Sequence, residues 1–257
     1  MNIHEAEKFA QEIRINGFCI IEDYLSEFEI EKIFSDINSI LIAAQSPATR
    51  NIDEKYLFLK NNSPVIKSRC YDLFSKMSSL NRAMNKVIIE EIAINLYKSP
   101  VLMSNLQVRV DDNSLDRDLP LHQEFNQMSL FNLTLWVPLK DLSPDSGGLK
   151  VYPSSHRKGI LEHTSYNGYS GLKQEALNAL NEELEIRPKK GTAILFHPYL
   201  VHGTIPNESE NIRWTSVARF NELSHLKYIQ DTDFGIGLGY NLFNTLPEYR
   251  NKIFPED

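Results

Sequence analysis

Cysteine is nearly missing from the chain: of 257 residues only Cys19 and Cys70 carry a thiol, far apart in sequence. That excludes a disulfide framework and a CxxC metal pair, and suits a reducing compartment. Long apolar runs are missing as well, none approaching the roughly 18 residues that a bilayer crossing needs. The opening Met1-Asn2-Ile3-His4-Glu5 lacks the basic start and apolar core of a signal peptide, so a cytoplasmic location is expected. Positive charge is in deficit, with 27 Lys+Arg against 34 Asp+Glu and a net charge of −7. No general basic excess is present to grip phosphate backbones or an anionic membrane, so neither nucleic acid nor membrane is an expected partner. Eleven glycines and twelve prolines are too few for a fibrous or low-complexity chain. Repeats, Gly/Ser linkers and long charge blocks are absent too, leaving one domain over 1–257 as the expectation, with its oligomeric state unset.

What is present divides by character near residue 100. The first part, about 1–98, reads mostly as helix. Glu5 to Asn16 is polar with apolar punctuation, and Phe18-Cys19-Ile20-Ile21 is a short β-prone run. Ser26 with Glu29 three residues on makes a capping box for a helix whose Phe28, Ile30, Ile33, Phe34, Ile37, Ile40 and Leu41 form one buried face. Gln45 to Pro64 reads as polar and irregular, and Ile66 to Tyr97 as one or two helices ending before Pro100. From Val101, short β-type runs take over at Leu106–Val110, Leu130–Leu139, Leu149–Tyr152, Thr192–Phe196 and Arg213–Phe220. Turn residues such as Ser143-Pro144-Asp145-Ser146-Gly147-Gly148 separate them at the spacing of an antiparallel sandwich or barrel, and Gly171 to Glu183 reads as a helical insertion. The expected class is α+β, with helices flanking a sheet core over about 101–223 and a C-terminal segment at 224–257.

Seven histidines occur, and most need no function. His122 and Glu124 are one residue apart in Leu121-His122-Gln123-Glu124-Phe125, so on extended chain both side chains share a face and can reach one ion. Such pairs arise often by chance. Support comes from Phe196-His197-Pro198-Tyr199-Leu200-Val201-His202-Gly203-Thr204, followed by Arg213. His202 as third ligand would complete two imidazoles and a carboxylate on one side of a metal, the facial arrangement of non-haem Fe(II) oxygenases. Two open positions then suit a 2-oxo acid and one suits O2. Arg213 has the planar fork for a distal carboxylate, and Thr204 a hydroxyl beside it.

These residues, together with Asn132-Leu133-Thr134-Leu135-Trp136-Val137-Pro138-Leu139 and Gly147-Gly148-Leu149-x-Val151-x-Pro153-x-Ser155-His156, resemble the phytanoyl-CoA dioxygenase family, which includes the ectoine hydroxylases. The resemblance runs from about Leu106 to Phe220. It implies a double-stranded β-helix, or jelly roll, with Fe(II) held by His122, Glu124 and His202. It also implies 2-oxoglutarate and O2 as co-substrates, with Arg213 and Thr204 on the distal carboxylate. Gln107, Thr134 and Trp136 fall where the family often lines the co-substrate pocket, the other reading of each being core packing. His197, five residues earlier, would point to the opposite face of a strand, so the two histidines should not both face the metal; it is the resemblance, through Gly203, Thr204 and the spacing to Arg213, that implies His202. His156 resembles the family's structural turn, and His4, His163 and His225 have no usable partner spacing.

The activity implied is oxidation of an unactivated C–H bond of a small soluble metabolite, with release of succinate and CO2. The family usually has Asp where this chain has Glu124, a displacement of about one C–C bond, roughly 1.5 Å. Substrate selection is expected in Gln45–Asn62, Asp111–Pro120, Glu162–Ser170 and Phe234–Tyr249. Arg50, Lys55, Lys60, Arg109 and Arg117 are read as solvated charges that could also meet an anionic substrate. Two other classes fit part of the pattern. A zinc hydrolase would use the same ligands, but the chain has no His-Glu-x-x-His helix and such an enzyme has no use for Arg213. A non-catalytic jelly-roll binding protein would account for Glu124.

Overall fold

A computed structural model describes residues 3–48, 50–113, 120–124, 132–166, 169–180 and 182–222. The first helix, α1 (Ile3–Asn16), stops at Gly17, whose φ of +88° turns the chain into β1 (Phe18–Ile21). α2 (Glu27–Ala43) starts on the Ser26–Glu29 capping box and buries Ile30, Ile33, Ile37 and Leu41. Phe28, expected on that face, is instead 75% exposed, because at 3.6 residues per turn it lies about half a turn round the helix from the buried Ile30 and Ile37.

Three further expectations give way in this half. The stretch read as irregular contains α3 (Ile52–Asn62), started by a second capping box, Asn51 with Glu54. Its polar composition hid it, since only Lys55, Tyr56 and Leu59 are buried. Lys55 is correspondingly no solvated charge, being 5% exposed with its ammonium donating to Asn38 Oδ1 at 2.6 Å. The long helical pattern after Pro64 is three helices, α4 (Pro64–Phe74), α5 (Ser78–Met84) and α6 (Val87–Tyr97), the last closed by a left-handed Lys98.

The strands follow as β2 (Val101–Asp111), β3 (Asn132–Pro138), β4 (Gly148–Val151), β5 (His163–Tyr166) and β6 (Tyr169–Leu172). After α7 (Gln174–Asn178) come β7 (Leu184–Ile186), β8 (Ala193–Phe196), β9 (His202–Ile205) and β10 (Arg213–Glu222). The insertion helix is shorter than expected because Gly171 and Leu172 belong to β6. There Gly171 lies so close to Pro120 that a methyl group would collide with its ring.

All pairings are antiparallel. A five-stranded sheet has the order β1-β8-β3-β10-β2, a second sheet runs β7-β4-β9, and β5-β6 form a hairpin. Period-two alternation gives the large sheet two faces. Leu133, Leu135, Val137, Trp214, Ala218 and Phe220 pack outward against the helices in the main core. Trp136, Ile194, Phe196 and Val217 point inward and meet Leu149, Val151 and Ile186 of the second sheet in a smaller core. This is an α+β jelly roll whose helices cover one outer face, so that polar side chains at the ends of the inner face line the space between the sheets.

Candidate functional site

The segment carrying His122 joins the start of β9 through a two-way bridge. His122 N donates to His202 O at 2.9 Å and His202 N to His122 O at 3.1 Å. The imidazoles therefore lie side by side, with ring centroids 4.3 Å apart. Each Nδ1 faces a carbonyl oxygen, Pro120 O at 2.8 Å from His122 and Leu200 O at 2.9 Å from His202. A carbonyl only accepts, so both rings carry their proton on Nδ1 and present the Nε2 lone pair to the site. Glu124, held by its own N–H on Pro198 O at 2.9 Å, brings Oε1 to 3.7 Å from His122 Nε2 and 3.6 Å from His202 Nε2. The three ligand atoms lie within 4.8 Å of one another, and among the described residues this is the cluster of its kind.

Gln123, between the two, points the other way and rivets the segment. Its amide donates to Gly159 O at 2.9 Å and Tyr199 O at 2.7 Å, and its carbonyl accepts from Leu161 N at 2.9 Å. Sequence reading passed over Gln123, and also over Arg219. The Arg219 guanidinium takes both oxygens of Glu124, Nε to Oε2 at 2.9 Å and Nη2 to Oε1 at 3.0 Å. Even spacing from Arg213 along a strand, six residues, is the signal that would have placed Arg219 on the same inner face.

Burial pushes the Glu124 carboxyl up, but the Arg219 charge and the two histidines outweigh it and hold the group well below the ordinary carboxylate range. Burial, helped by neighbouring His122, depresses His202. At neutral pH the site thus holds an ionised carboxylate beside a neutral His202.

Arg213 lies at the other end of the inner face. β9 runs from His202 to Ile205, about 10 Å of strand, and Arg213 Nη1 donates to Ile205 O at 2.6 Å and to Ser146 O at 3.1 Å. Its Nε and Nη2 reach Asp111 Oδ2 at 3.4 and 3.2 Å. Gly147, with φ +82°, makes room: a methyl group there would overlap Nη1 and the carbonyls of Ile205 and Pro206. Thr204 sits on β9 on the same face as His202, opposite Leu149. Thr215, next after Arg213 on its face of β10, is buried and its hydroxyl has no hydrogen-bond partner.

The remaining predicted residues separate. Gln107 donates to Asn105 Oδ1 at 2.9 Å, and Asn105 accepts from Arg219 Nη1 at 3.0 Å, so Gln107 belongs to the Glu124 network. Thr134 lies opposite Arg219 with its hydroxyl buried and unpartnered. Trp136 is packed in the inner core. His197 is outside the cluster, stacked near His156 at 5.3 Å between ring centroids, with burial and then His156 lowering it to about 3. His163 accepts from Gln123 N at 3.3 Å. Lys60 pairs with Asp112 at 2.6 Å and Arg109 with Asp111 at 3.3 Å. Arg117, His225 and Phe234–Tyr249 lie outside the described residues, as does most of Asp111–Pro120.

Comparison with known proteins points the same way. The family model described as phytanoyl-CoA dioxygenase matches residues 13–215. The peroxisomal phytanoyl-CoA dioxygenase of Bos taurus is 23% identical over 226 residues, covering 81% of this chain and 65% of that protein. The chain thus spans about two thirds of the length of such relatives. Among solved structures, the epimerase SnoN in complex with Fe3+, alpha ketoglutarate and nogalamycin RO aligns with TM-score 0.62 at 16% identity, covering 86% of this chain and 85% of that one. EctD from S. alaskensis, with 2-oxoglutarate and 5-hydroxyectoine, aligns with TM-score 0.58 at 20% identity, covering 84% and 76%.

Proposed function

Because the chain belongs to the phytanoyl-CoA dioxygenase family, we propose that it is an Fe(II)- and 2-oxoglutarate-dependent oxygenase oxidising a C–H bond of a small, soluble metabolite. The observation that carries this reading is the His122–Glu124–His202 cluster, with Arg213 about three residues further along the same inner face. The donor set fits the metal: two imidazole nitrogens with their other nitrogen satisfied, and one ionised carboxylate, leave an octahedral ion open on one side. Bound there with 2-oxoglutarate and O2, the iron would supply the oxidant, with succinate and CO2 as by-products.

The protein's own contribution is placement. Pro120 O and Leu200 O fix the ring orientations, and Gln123 locks the segment between His122 and Glu124. Arg213, Thr204 and Thr215 would take the distal carboxylate of a five-carbon dicarboxylate, and the unpartnered Thr215 hydroxyl is a group that such a ligand would satisfy. Gly147 leaves the room that the Arg213 guanidinium occupies. Thr134 and Arg219, opposite one another on β3 and β10, stand at the end of the inner face away from Arg213, the end at which the proposal has a primary substrate approach. No side chain has to act as general base, in keeping with the absence of a nucleophile–base pair among these groups. The single-domain extent over 1–257 belongs to the same proposal.

The test is an anaerobic titration of metal-free protein with Fe(II) and then 2-oxoglutarate, followed by the weak visible charge-transfer band of a chelated 2-oxo acid. A saturable band is expected, and its absence would overturn the assignment. Candidate substrates can then be screened by succinate release.

A further inference from the structure

We propose that Arg219 is a positioning residue that sets the length of the carboxylate the metal site accepts, so that this chain requires Glu at 124 where a shorter acid would not serve. The inference rests on the metal reading above and deepens it. Both oxygens of Glu124 are held by one guanidinium, at 2.9 and 3.0 Å, while Oε1 is also the atom nearest both His122 Nε2 and His202 Nε2. A carboxylate oxygen has two lone-pair directions, so Oε1 can serve Arg219 and a metal ion together.

Arg219 is itself fixed independently of Glu124. It stands on β10, paired with β2 on one side and β3 on the other. Its third nitrogen donates to Asn105 Oδ1 at 3.0 Å, and Asn105 is held by Gln107 Nε2 at 2.9 Å. Guanidinium and backbone thus bracket residue 124 from two sides. Glu124 N is tied to Pro198 O, and its carboxylate to a fork that belongs to the opposite sheet. The gap between them has one length. Aspartate, shorter by about 1.5 Å, could satisfy the fork or the metal but would have to leave one of them. A cation beside a divalent ion opposes the ion by charge, so the role assigned to Arg219 is orientation and not attraction.

The experiment is a double-mutant cycle on the full chain read by Co(II) binding, using the wild type, Glu124→Asp, Arg219→Met and the double variant, each stripped of metal and titrated anaerobically. The readouts are the dissociation constant and the visible Co(II) spectrum, which reports the ligand arrangement without turnover. Glu124→Asp is expected to weaken Co(II) binding at least tenfold when Arg219 is present and less than threefold when it is Met. Arg219→Met alone is expected to alter the Co(II) spectrum, as the carboxylate turns on its freed side chain. An Asp penalty of equal size in both backgrounds, or no penalty in the wild-type background, would overturn the proposal.

Removing Arg219 leaves a buried carboxylate without its partner, and the chain could fail to fold. Asn105→Ala covers that case by releasing the guanidinium from its anchor. The Asp penalty should then fall at least threefold, and an unchanged penalty counts against the inference. Arg219→Lys keeps the charge without the fork and should behave like Met. If Lys preserves the full penalty, charge and not geometry is responsible. A wild type that binds no Co(II) would instead sink the metal reading itself.

Discussion

At the scale of single residues, the proposed function gives the two ends of the inner face separable duties. His122 and His202 offer nitrogen lone pairs to one point, whereas Arg213 stands a strand segment away among carbonyls and Asp111. Arg213→Ala should therefore raise the dissociation constant for 2-oxoglutarate by about 10- to 100-fold, the worth of a charge-assisted pair, and leave metal binding nearly unchanged. His122→Ala or His202→Ala should abolish metal binding itself. Calorimetric titration with Co(II) and then 2-oxoglutarate distinguishes the two, and equal metal loss in all three variants would break the division of roles. Gly147→Ala tests the Arg213 end through its backbone neighbour. At φ +82° the new methyl is strained and overlaps Arg213 Nη1. The variant should bind metal normally, bind 2-oxoglutarate at least tenfold more weakly, and lose about 1–2 kcal/mol of stability from the left-handed conformation alone.

At the scale of elements, α3 is the piece that ties the helical layer to β10, the strand that carries Arg213 and Arg219. Asp53 accepts from Trp214 Nε1 at 2.7 Å and pairs with Lys140 at 2.7 Å. Trp214 stacks edge-on against Phe34 and Tyr56, and its neighbour in sequence, Arg213, points to the opposite face of β10. Asp53→Ala leaves the buried indole N–H unsatisfied and should cost about 2–3 kcal/mol. Asn51→Ala removes only the cap and should cost about 1 kcal/mol. Thermal unfolding checks both, at roughly 2–4 °C per kcal/mol for a chain of this size. Reversal of that order would mean that α3 is held by its own start and not by Trp214.

At the scale of the whole molecule, acid should act through the histidines packed between α1 and the sandwich. Burial, then the facing His156, lowers His197 to about 3, and burial also lowers His156. A side chain at Gly17 would collide with His156, and His156 Nε2 faces Arg14 O at 3.1 Å. Each histidine has a folded pKa below its unfolded value, so the unfolded chain takes up protons first as pH falls. Stability should hold above about pH 6.5 and decline as pH drops from there toward 3. His197→Asn should flatten that decline in melting temperature between pH 6.5 and 4. An unchanged slope would place the acid sensitivity elsewhere.

Much of this protein was legible without coordinates because it depends on local order. Residues i and i+2 share a face of an extended chain, which put His122 beside Glu124 and His202 beside Thr204. The Ser26 capping box and the β-type runs after Val101 likewise act within a few residues, and the structure has them where local chemistry puts them. Pairing across the fold is another matter. The bridge that stacks His122 on His202 spans 80 residues, and the fork that holds Glu124 comes from a strand 95 residues on. The pattern of neither segment encodes the other. Helix α3 was hidden by its polar composition, and its tie to the sheet, Asp53 accepting from Trp214, comes from a distant strand. Sequence alone proposed which residues could bind a metal and a dicarboxylate. Only the packing of two sheets decided that His122, Glu124 and His202 meet, and that Glu124 lies in the grip of Arg219, because contacts between distant strands follow from register and not from spacing along the chain.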